Sequence, residues 1–536
     1  MKRVDFFLSI ENFEEDYSQD ITDDTFFSFP LEPILSAERQ LQIGVENKAY
    51  LSMEYGLAPS IYHTFQRSQS DNQNQFYKHE VFSNNLDADA THNIKIDKLL
   101  DIPIYGGGLG VLAGDTLKSV ADQRIPLVAI GILWNKGYFR QRFWYKHGQI
   151  PEHTQWNPHT YPGLVPLRQR VTIDLPNETL YVRLWKYYVY SFDQKAVVPL
   201  ILLDSNVAEN SERLQTLTDQ LYRSDDIDWQ ILQRALLGIG GMRALEALGY
   251  KINRYHLNEG HAAFALVESM MKSGPDAAKN FVYTCHTPVA AGHDRYHVRD
   301  LTKFLGDTYT NAAMEYGQDP QDNELANLTH LCLEHCAHMN AVSQKHGEVM
   351  RIQFPDYADR FHAITNGVHH LTWLSLPFIR LFDKHIARYG DWRENPEYLK
   401  NVEELRHDEE FRQDIILAHQ ENKRGLVNLF NGWELDENTL TVGWARRITG
   451  YKRPSLIFHD VQKLLDIALN VGNLQIILAG KAHPNDDVGA AHIQEILDEG
   501  LTPPAVNQVE IHPFLRRDEL VEFCKEVREN FPDKII

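Results

Sequence analysis

The chain has 536 residues, 43% of them hydrophobic and 24% charged, the balance of a globular protein with a sizeable core; a disordered, collagenous or disulfide-stapled chain is excluded. Lys and Arg number 53 against 74 Asp and Glu, a formal charge of −21, which argues against sequence-independent binding to nucleic acid or an anionic membrane but leaves room for local phosphate sites. At about 150 residues per domain, the length predicts two to four domains.

The first residues, MKRVDFFLSIENFEED, carry an apolar run broken by Asp5 and Glu11, too short and too charged for a signal peptide. Seven acidic side chains follow between 11 and 24, so residues 1–30 are expected to form a solvated acidic arm. Short apolar runs bounded by turn residues predict strands at Pro126–Trp134, Val197–Asp204, Phe281–Cys285, Leu440–Trp444 and Leu474–Ala479. None approaches the roughly 18 residues of a spanning helix. Leu217–Gly249 is helical in pattern, with Trp229, Leu232, Leu236 and Leu237 close to i, i+3, i+7 and i+8. The alternation predicts an α/β protein with parallel sheets covered by helices. Around Thr365-Asn366-Gly367 the texture changes to charged helices, Trp392 to Phe430, before strands resume near 440. A boundary is expected there, with one domain over 1–365 and a second beginning at 366. Four cysteines in so long a chain suggest a reducing compartment, and a cytoplasmic location is expected.

Two loops stand out chemically. Tyr105-Gly106-Gly107-Gly108-Leu109-Gly110 precedes a helical-looking stretch, where backbone N–H groups and the helix dipole favour an anion. Gly108–Ala113 fits G-x-G-x-x-A, but the acidic residue of a dinucleotide site is missing, since position 128 is Val128. A tight turn needed only for packing is the competing reading. The second loop, Arg446-Arg447-Ile448-Thr449-Gly450-Tyr451-Lys452-Arg453, sets four cations directly after a predicted strand, where α/β folds bind ligands. In an acidic protein this suggests a bound phosphate, with a solvated loop as the alternative. Histidines cluster at His256–His261 and at Cys285-His286-Thr287-Pro288, without the i, i+4 spacing of a helical zinc site. Cys332 and Cys336, with His335 and His338, look metal-like by composition but are expected on the core face of an amphipathic helix, so no metal is predicted.

Nine stretches taken together resemble the α-glucan (glycogen, starch, maltodextrin) phosphorylases, particularly their shorter bacterial and archaeal branch. They are LSMEYGL, YGGGLGVLAGD, NKGYFRQR, HLNEGHAAF, YTCHTPVAAGHDR, AVSQKHGEVMR, TNGVHHLTWL, ARRITGYKR and AGKAHP, in family order across about 430 residues. The resemblance implies a GT-B type fold of two Rossmann-like domains facing across a cleft. It implies pyridoxal 5′-phosphate as cofactor, and α-glucan and inorganic phosphate as substrates, with release of glucose 1-phosphate and retention of α configuration. It is compatible with an oligomer. By position, Gly107, Gly108 and Leu109 match glycine-loop amides near the substrate phosphate, and Arg447 and Lys452 match its cationic ligands. Arg446 takes the place of a cation on the cofactor phosphate. His286, Asn366 and Tyr451 match groups on the glucosyl unit, and Asp225, Glu259 and His261 match other lines of the pocket. The family anchors its cofactor on a Lys in an EASGT…MK segment, which these 536 residues do not contain. Phe531–Ile536 reads as the opening of a buried strand, so the sequence is expected to be cut within its second domain and to be inactive as it stands. A cofactor-independent glucosyltransferase using a nucleotide-sugar, and a non-catalytic glucan-binding protein, are the alternatives.

Overall fold

The computed structural model describes residues 31–57, 102–144, 148–154, 156–160, 164–223, 226–288, 292–429 and 435–501. The acidic arm, Asp225 and the closing Phe531–Ile536 lie outside them. In chain order the strands are β1 (Lys48–Leu51), β2 (Leu127–Ile132), β3 (Arg140–Trp144), β4 (Gly148–Glu152), β5 (Val165–Asp174), β6 (Thr179–Tyr190), β7 (Val197–Asp204) and β8 (Arg254–Asn258). They continue with β9 (Phe281–Cys285), β10 (Arg295–His297), β11 (Gln318–Asp319), β12 (Asp322–Asn327), β13 (His338–Ala341), β14 (Phe361–Ala363), β15 (Leu440–Ala445) and β16 (Leu474–Ala479). Each of the five predicted strands forms, the first one trimmed at both ends.

Contacts divide the chain into two compact units, the first ending at Thr372. Its main sheet runs β14-β13-β9-β8-β1-β2-β7-β6-β5. From β14 to β7 every pairing is parallel, and β6 and β5 add an antiparallel edge. Strands β2 and β7 are buried at every residue, as expected of parallel strands covered on both faces, which is why they read as unbroken apolar runs. The chain builds outward from β1 in one direction through β2 and β7, then returns to its other side with β8, β9, β13 and β14. The β1/β8 junction is therefore a topological switch point, where loops diverge and leave a crevice at the carboxyl ends of the strands.

The helix expected over Leu217–Gly249 begins later. Asp226 caps it by accepting from Asp228 N–H, and helix runs over Ile227–Ala235, a π-helical turn over Leu236–Gly240 and helix again over Gly241–Ala247. Trp229, Leu232, Leu236 and Leu237 are all buried, as their spacing requires. Residues 217–223 form turns instead, with Tyr222 in the left-handed region at φ 58°. Cys332 and Cys336 are buried on and just after the helix Leu328–His335.

The second unit begins again at Trp373 and includes the β3–β4 hairpin, although the hairpin lies among first-unit residues in sequence. The charged stretch after Trp392 forms 3₁₀ turns over Pro396–Leu405 and a helix over Glu409–Leu429. Strands β15 and β16 pair in parallel over Leu440↔Leu474 to Ala445↔Ala479, around a core of Phe458, Ile476, Leu478 and Ile496. Gln149 of the hairpin pairs reciprocally with the backbone of Ala482, accepting its N–H at 2.9 Å and donating to its carbonyl at 2.8 Å. Among the described residues no helix is long and apolar enough to cross a membrane.

Candidate active site

In the first unit the candidate residues gather at the carboxyl ends of the parallel strands. β1 leads into Ser52–Leu57, β8 into Glu259-Gly260-His261, β9 into His286, and β14 toward Asn366. The glycine loop lies beside the first of these. Its helix spans Gly108–Asp122 with Gly107 as N-cap, and no side chain caps it. Gly110 and Gly114 serve close packing: a Cβ on Gly110 would lie 2.8 Å from Glu54 Oε2, and one on Gly114 only 2.3 Å from the Gly56 carbonyl. Gly108 is exposed, and a Cβ there would meet nothing within 4 Å. Packing thus accounts for Gly110 and Gly114, while Gly108 lies open to solvent. The Gly107 N–H donates to Glu54 Oε2 at 3.1 Å, as Gly106 N–H does at 2.5 Å. Gly107, expected to face phosphate, therefore has its amide engaged by a carboxylate. The N–H groups of Gly108, Leu109 and Gly110 open the helix, where no intrahelical acceptor exists.

Glu259, expected in the substrate pocket, instead serves the backbone. Its Oε2 accepts from His286 N–H and Thr287 N–H, both at 3.0 Å, and from the Thr287 hydroxyl at 3.1 Å. Its Oε1 accepts from the Tyr283 hydroxyl at 3.0 Å and Gly260 N–H at 3.3 Å. The residue is 2% exposed and sits at φ 70°, a conformation rare for a side-chain-bearing residue, so the bonds overdetermine a strained turn. Burial pushes its pKa above the usual carboxylate range, against the lowering effect of these donors.

The histidines are neutral at physiological pH. Burial lowers His256 to about 4; burial with His256 and His346 nearby lowers His286 to about 3; burial with Arg234 nearby lowers His261 to about 3. His256 Nε2 pairs with the Thr284 hydroxyl at 2.7 Å, which in turn donates to Asn340 at 2.8 Å. Three buried polar atoms along this edge have no partner among the described residues: His286 Nε2, His261 Nδ1 and Asn258 Oδ1. Neutral imidazoles and an amide with open hydrogen-bonding positions suit a ligand rich in hydroxyl groups. Asn366 is exposed and its N–H donates to the Val342 carbonyl at 3.0 Å. Among the described residues no cluster of three His, Cys, Asp or Glu side chains could hold a metal ion.

In the second unit the cations follow β15. Arg446 N–H donates to the Ala479 carbonyl and Ile448 N–H to the Lys481 carbonyl, both at 3.0 Å, extending the β15–β16 ladder into the loop. Arg446, Arg447 and Tyr451 are exposed, and Lys452 Nζ lies 4.5 Å over the Tyr451 ring. Lys452 ends a 3₁₀ turn that Arg453 closes in the left-handed region at φ 51°. Among the described residues Arg446 and Lys452 form no ion pair with a carboxylate. Lys481 is engaged differently, donating to the Phe139 carbonyl at 2.6 Å. Sequence reasoning missed Glu54, Tyr222 and Asn258; the signal for Glu54 was an acidic residue inside the apolar LSMEYGL run.

A family model described as carbohydrate phosphorylase matches residues 264–501. The chain is 34% identical to the maltodextrin phosphorylase of Thermococcus litoralis over 76% of its own length and 52% of that relative. It is 32% identical to a glycogen phosphorylase of Mycobacterium tuberculosis, over 74% of this chain and 51% of the relative. An uncharacterised protein of Methanocaldococcus jannaschii is 30% identical, over 71% of this chain and 68% of its own length. The chain belongs to the carbohydrate phosphorylase family, and its parallel α/β units are those of a GT-B type fold. It spans about half the length of the maltodextrin and glycogen phosphorylases it matches.

Proposed function

We propose that the protein carrying this sequence is an α-glucan phosphorylase, releasing glucose 1-phosphate from glucan ends with inorganic phosphate. The observation that supports this best is the loop after β15, where the exposed Arg446 and the half-buried Lys452 have no carboxylate partner among the described residues, in a protein of net charge −21. Unpaired cations on a stiff turn at a strand end suit phosphate recognition. In this reading Arg447 and Lys452 bind the substrate phosphate, and the Gly108 and Leu109 amides donate to it. His286, His261, Asn366 and Tyr451 hydrogen-bond the sugar. Neutral imidazoles can donate to one hydroxyl and accept from another without adding charge. As the glucan oxygen leaves, the sugar gains oxocarbenium character, which an adjacent phosphate dianion stabilises.

Pyridoxal 5′-phosphate is the cofactor proposed by family. The exposed Arg446 fits its phosphate end, and the described residues offer no assigned lysine for its aldehyde end. When bound, the cofactor would supply a second phosphate as acid and charge partner. The second domain is proposed to begin near residue 366, and a cytoplasmic location is proposed on the four cysteines in so long a chain.

The test uses the full protein, supplied with pyridoxal phosphate, maltoheptaose and inorganic phosphate, with glucose 1-phosphate as readout. Lys452→Ala or Arg447→Ala should raise the phosphate KM about 10- to 100-fold and leave the glucan KM nearly unchanged, as expected for loss of a charge-assisted hydrogen bond of roughly 1.5–3 kcal/mol. An unchanged phosphate KM and kcat would refute these roles. Release of nucleoside diphosphate from a nucleotide-sugar, without phosphate dependence, would refute the activity.

A further inference from the structure

We propose that Glu54 is a positioning residue that sets the glycine loop for phosphate and ties it to the sugar-binding side; this rests on the phosphorylase reading above. Glu54 is 2% exposed and follows β1 at the switch point of the sheet. Its Oε2 accepts the N–H groups of Gly106 and Gly107, and its Oε1 accepts the Tyr222 hydroxyl at 2.7 Å. One carboxylate thus joins three segments: the end of β1, the glycine loop, and the turn before the helix that starts at Ile227.

The amides divide in a way that matters for anion binding. Those of Gly106 and Gly107 point inward to Glu54, so the chain must turn outward at Gly108, and only the helix's own first N–H groups remain for a ligand. Held from behind by a side chain with almost no freedom, the loop is set in place before ligand arrives. The cost of ordering it is met in folding and not in binding.

Tyr222 carries the connection further. A tyrosine in the left-handed region is uncommon and strained, and here a 2.7 Å bond to Glu54 holds it. Its ring lies 5.6 Å from that of His261, tilted by 52°, and 6.5 Å from that of Tyr138 in an edge contact. Displacing the Glu54 carboxylate therefore moves two things together: the amides at the start of the glycine-loop helix and the aromatic wall beside His261. Gly110 supports the same point sterically, because a Cβ there would press on Glu54 Oε2.

The experiment compares wild type, Glu54→Gln and Tyr222→Phe in the full protein. It reads phosphate and maltoheptaose KM values, thermal midpoints, and amide hydrogen exchange across 105–112 with and without inorganic phosphate. Glu54→Gln removes the charge that the two glycine amides bond to and reverses the Tyr222 bond, since the carboxamide N–H₂ must donate to the hydroxyl that formerly donated. It should speed exchange of Gly106 and Gly107 about tenfold or more, remove phosphate-dependent protection of Gly108–Gly110, and raise the phosphate KM about tenfold. Tyr222→Phe, which keeps the ring and the fold, should shift the same readouts in the same direction by a few-fold. A folded Glu54→Gln protein with unchanged phosphate KM and unchanged loop protection would overturn the positioning role and leave the phosphorylase reading standing. Equal losses for phosphate and glucan, with exchange raised throughout the unit, would mark Glu54 as merely structural and also overturn it. A wild type that neither turns over phosphate nor protects the loop with it would overturn the phosphorylase reading, and this role with it.

Discussion

Glu259→Gln isolates the second buried carboxylate of the sheet edge. The substitution keeps the volume but turns one acceptor into a donor and removes the charge. Glu259 accepts five hydrogen bonds from neutral donors. If the amide oxygen keeps the side facing His286 and Thr287, three charge-assisted bonds become neutral ones, at about 1 kcal/mol each. The new N–H₂ then faces the Gly260 N–H, costing about 1 kcal/mol more. Relief from burying a charge offsets part of this, leaving a net loss of about 2 kcal/mol. For a unit larger than 250 residues that corresponds to a fall of about 4 °C in Tm. Differential scanning calorimetry gives the shift, and hydrogen exchange should show the His286 and Thr287 amides opening faster. The ring of His286 loses its fixed base at the same time, so kcat/KM should fall by about 1–3 kcal/mol in activation free energy. An unchanged Tm with His286 and Thr287 amides still protected would refute the assignment of Glu259 as the support of that turn.

Acid should destabilise the first unit steeply. His256, His261 and His286 have folded pKa values of about 4, 3 and 3, below the unfolded value near 6.5, so the unfolded chain binds protons that the folded one excludes. The stability is fully present above about pH 6.5 and is lost as pH falls toward 3, at up to roughly 1.4 kcal/mol per pH unit per histidine. Urea midpoints at pH 7, 6 and 5 should therefore drop, with a shallower slope in His256→Asn; a flat profile would contradict the neutral assignment. In the second unit, Gly480→Ala places a Cβ 2.1 Å from the Arg446 carbonyl, so β15 and β16 must part where the cationic loop begins. A loss of about 2–3 kcal/mol in stability is expected, and a variant as stable as wild type would show that the loop gives way at no cost.

How much the sequence reveals depends on which atoms do the work. The parallel strands were legible because covering both faces leaves unbroken apolar runs, as at β2 and β7. The cationic loop was legible because it reverses the sign of an acidic chain within eight residues. The helix start was misplaced by about ten residues because Leu217 and Leu221 are buried like helix residues, while Tyr222 in the left-handed region breaks the helix before Asp226 caps it. The position of the β3–β4 hairpin with the second unit was not legible. It rests on Gln149 bonding the backbone of Ala482, a contact between residues 333 positions apart that no local pattern encodes.

The same reasoning explains why Glu259 reads from sequence as a pocket residue and folds as a brace. Its place in the pocket came from its position in the family resemblance, and a match by position displays a side-chain type without the direction its oxygens face. Glu54 and Glu259 have instead turned oxygens toward backbone N–H groups. Each lies just beyond one of the two strands that meet at the switch point, β1 and β8, and each fixes a neighbouring loop: the glycine loop in one case, His286 and Thr287 in the other. An anion site gains nothing from a nearby negative charge as such. It gains when that charge is spent on amides that face away from the ligand, because those amides then fix the ones that face toward it. On this argument, conservative changes at both carboxylates should act through geometry. Exchange rates at the braced amides should rise before any titration of the site shifts, and an inverted order, with pH profiles moving while the amides stay protected, would mean that the charges themselves are the functional element.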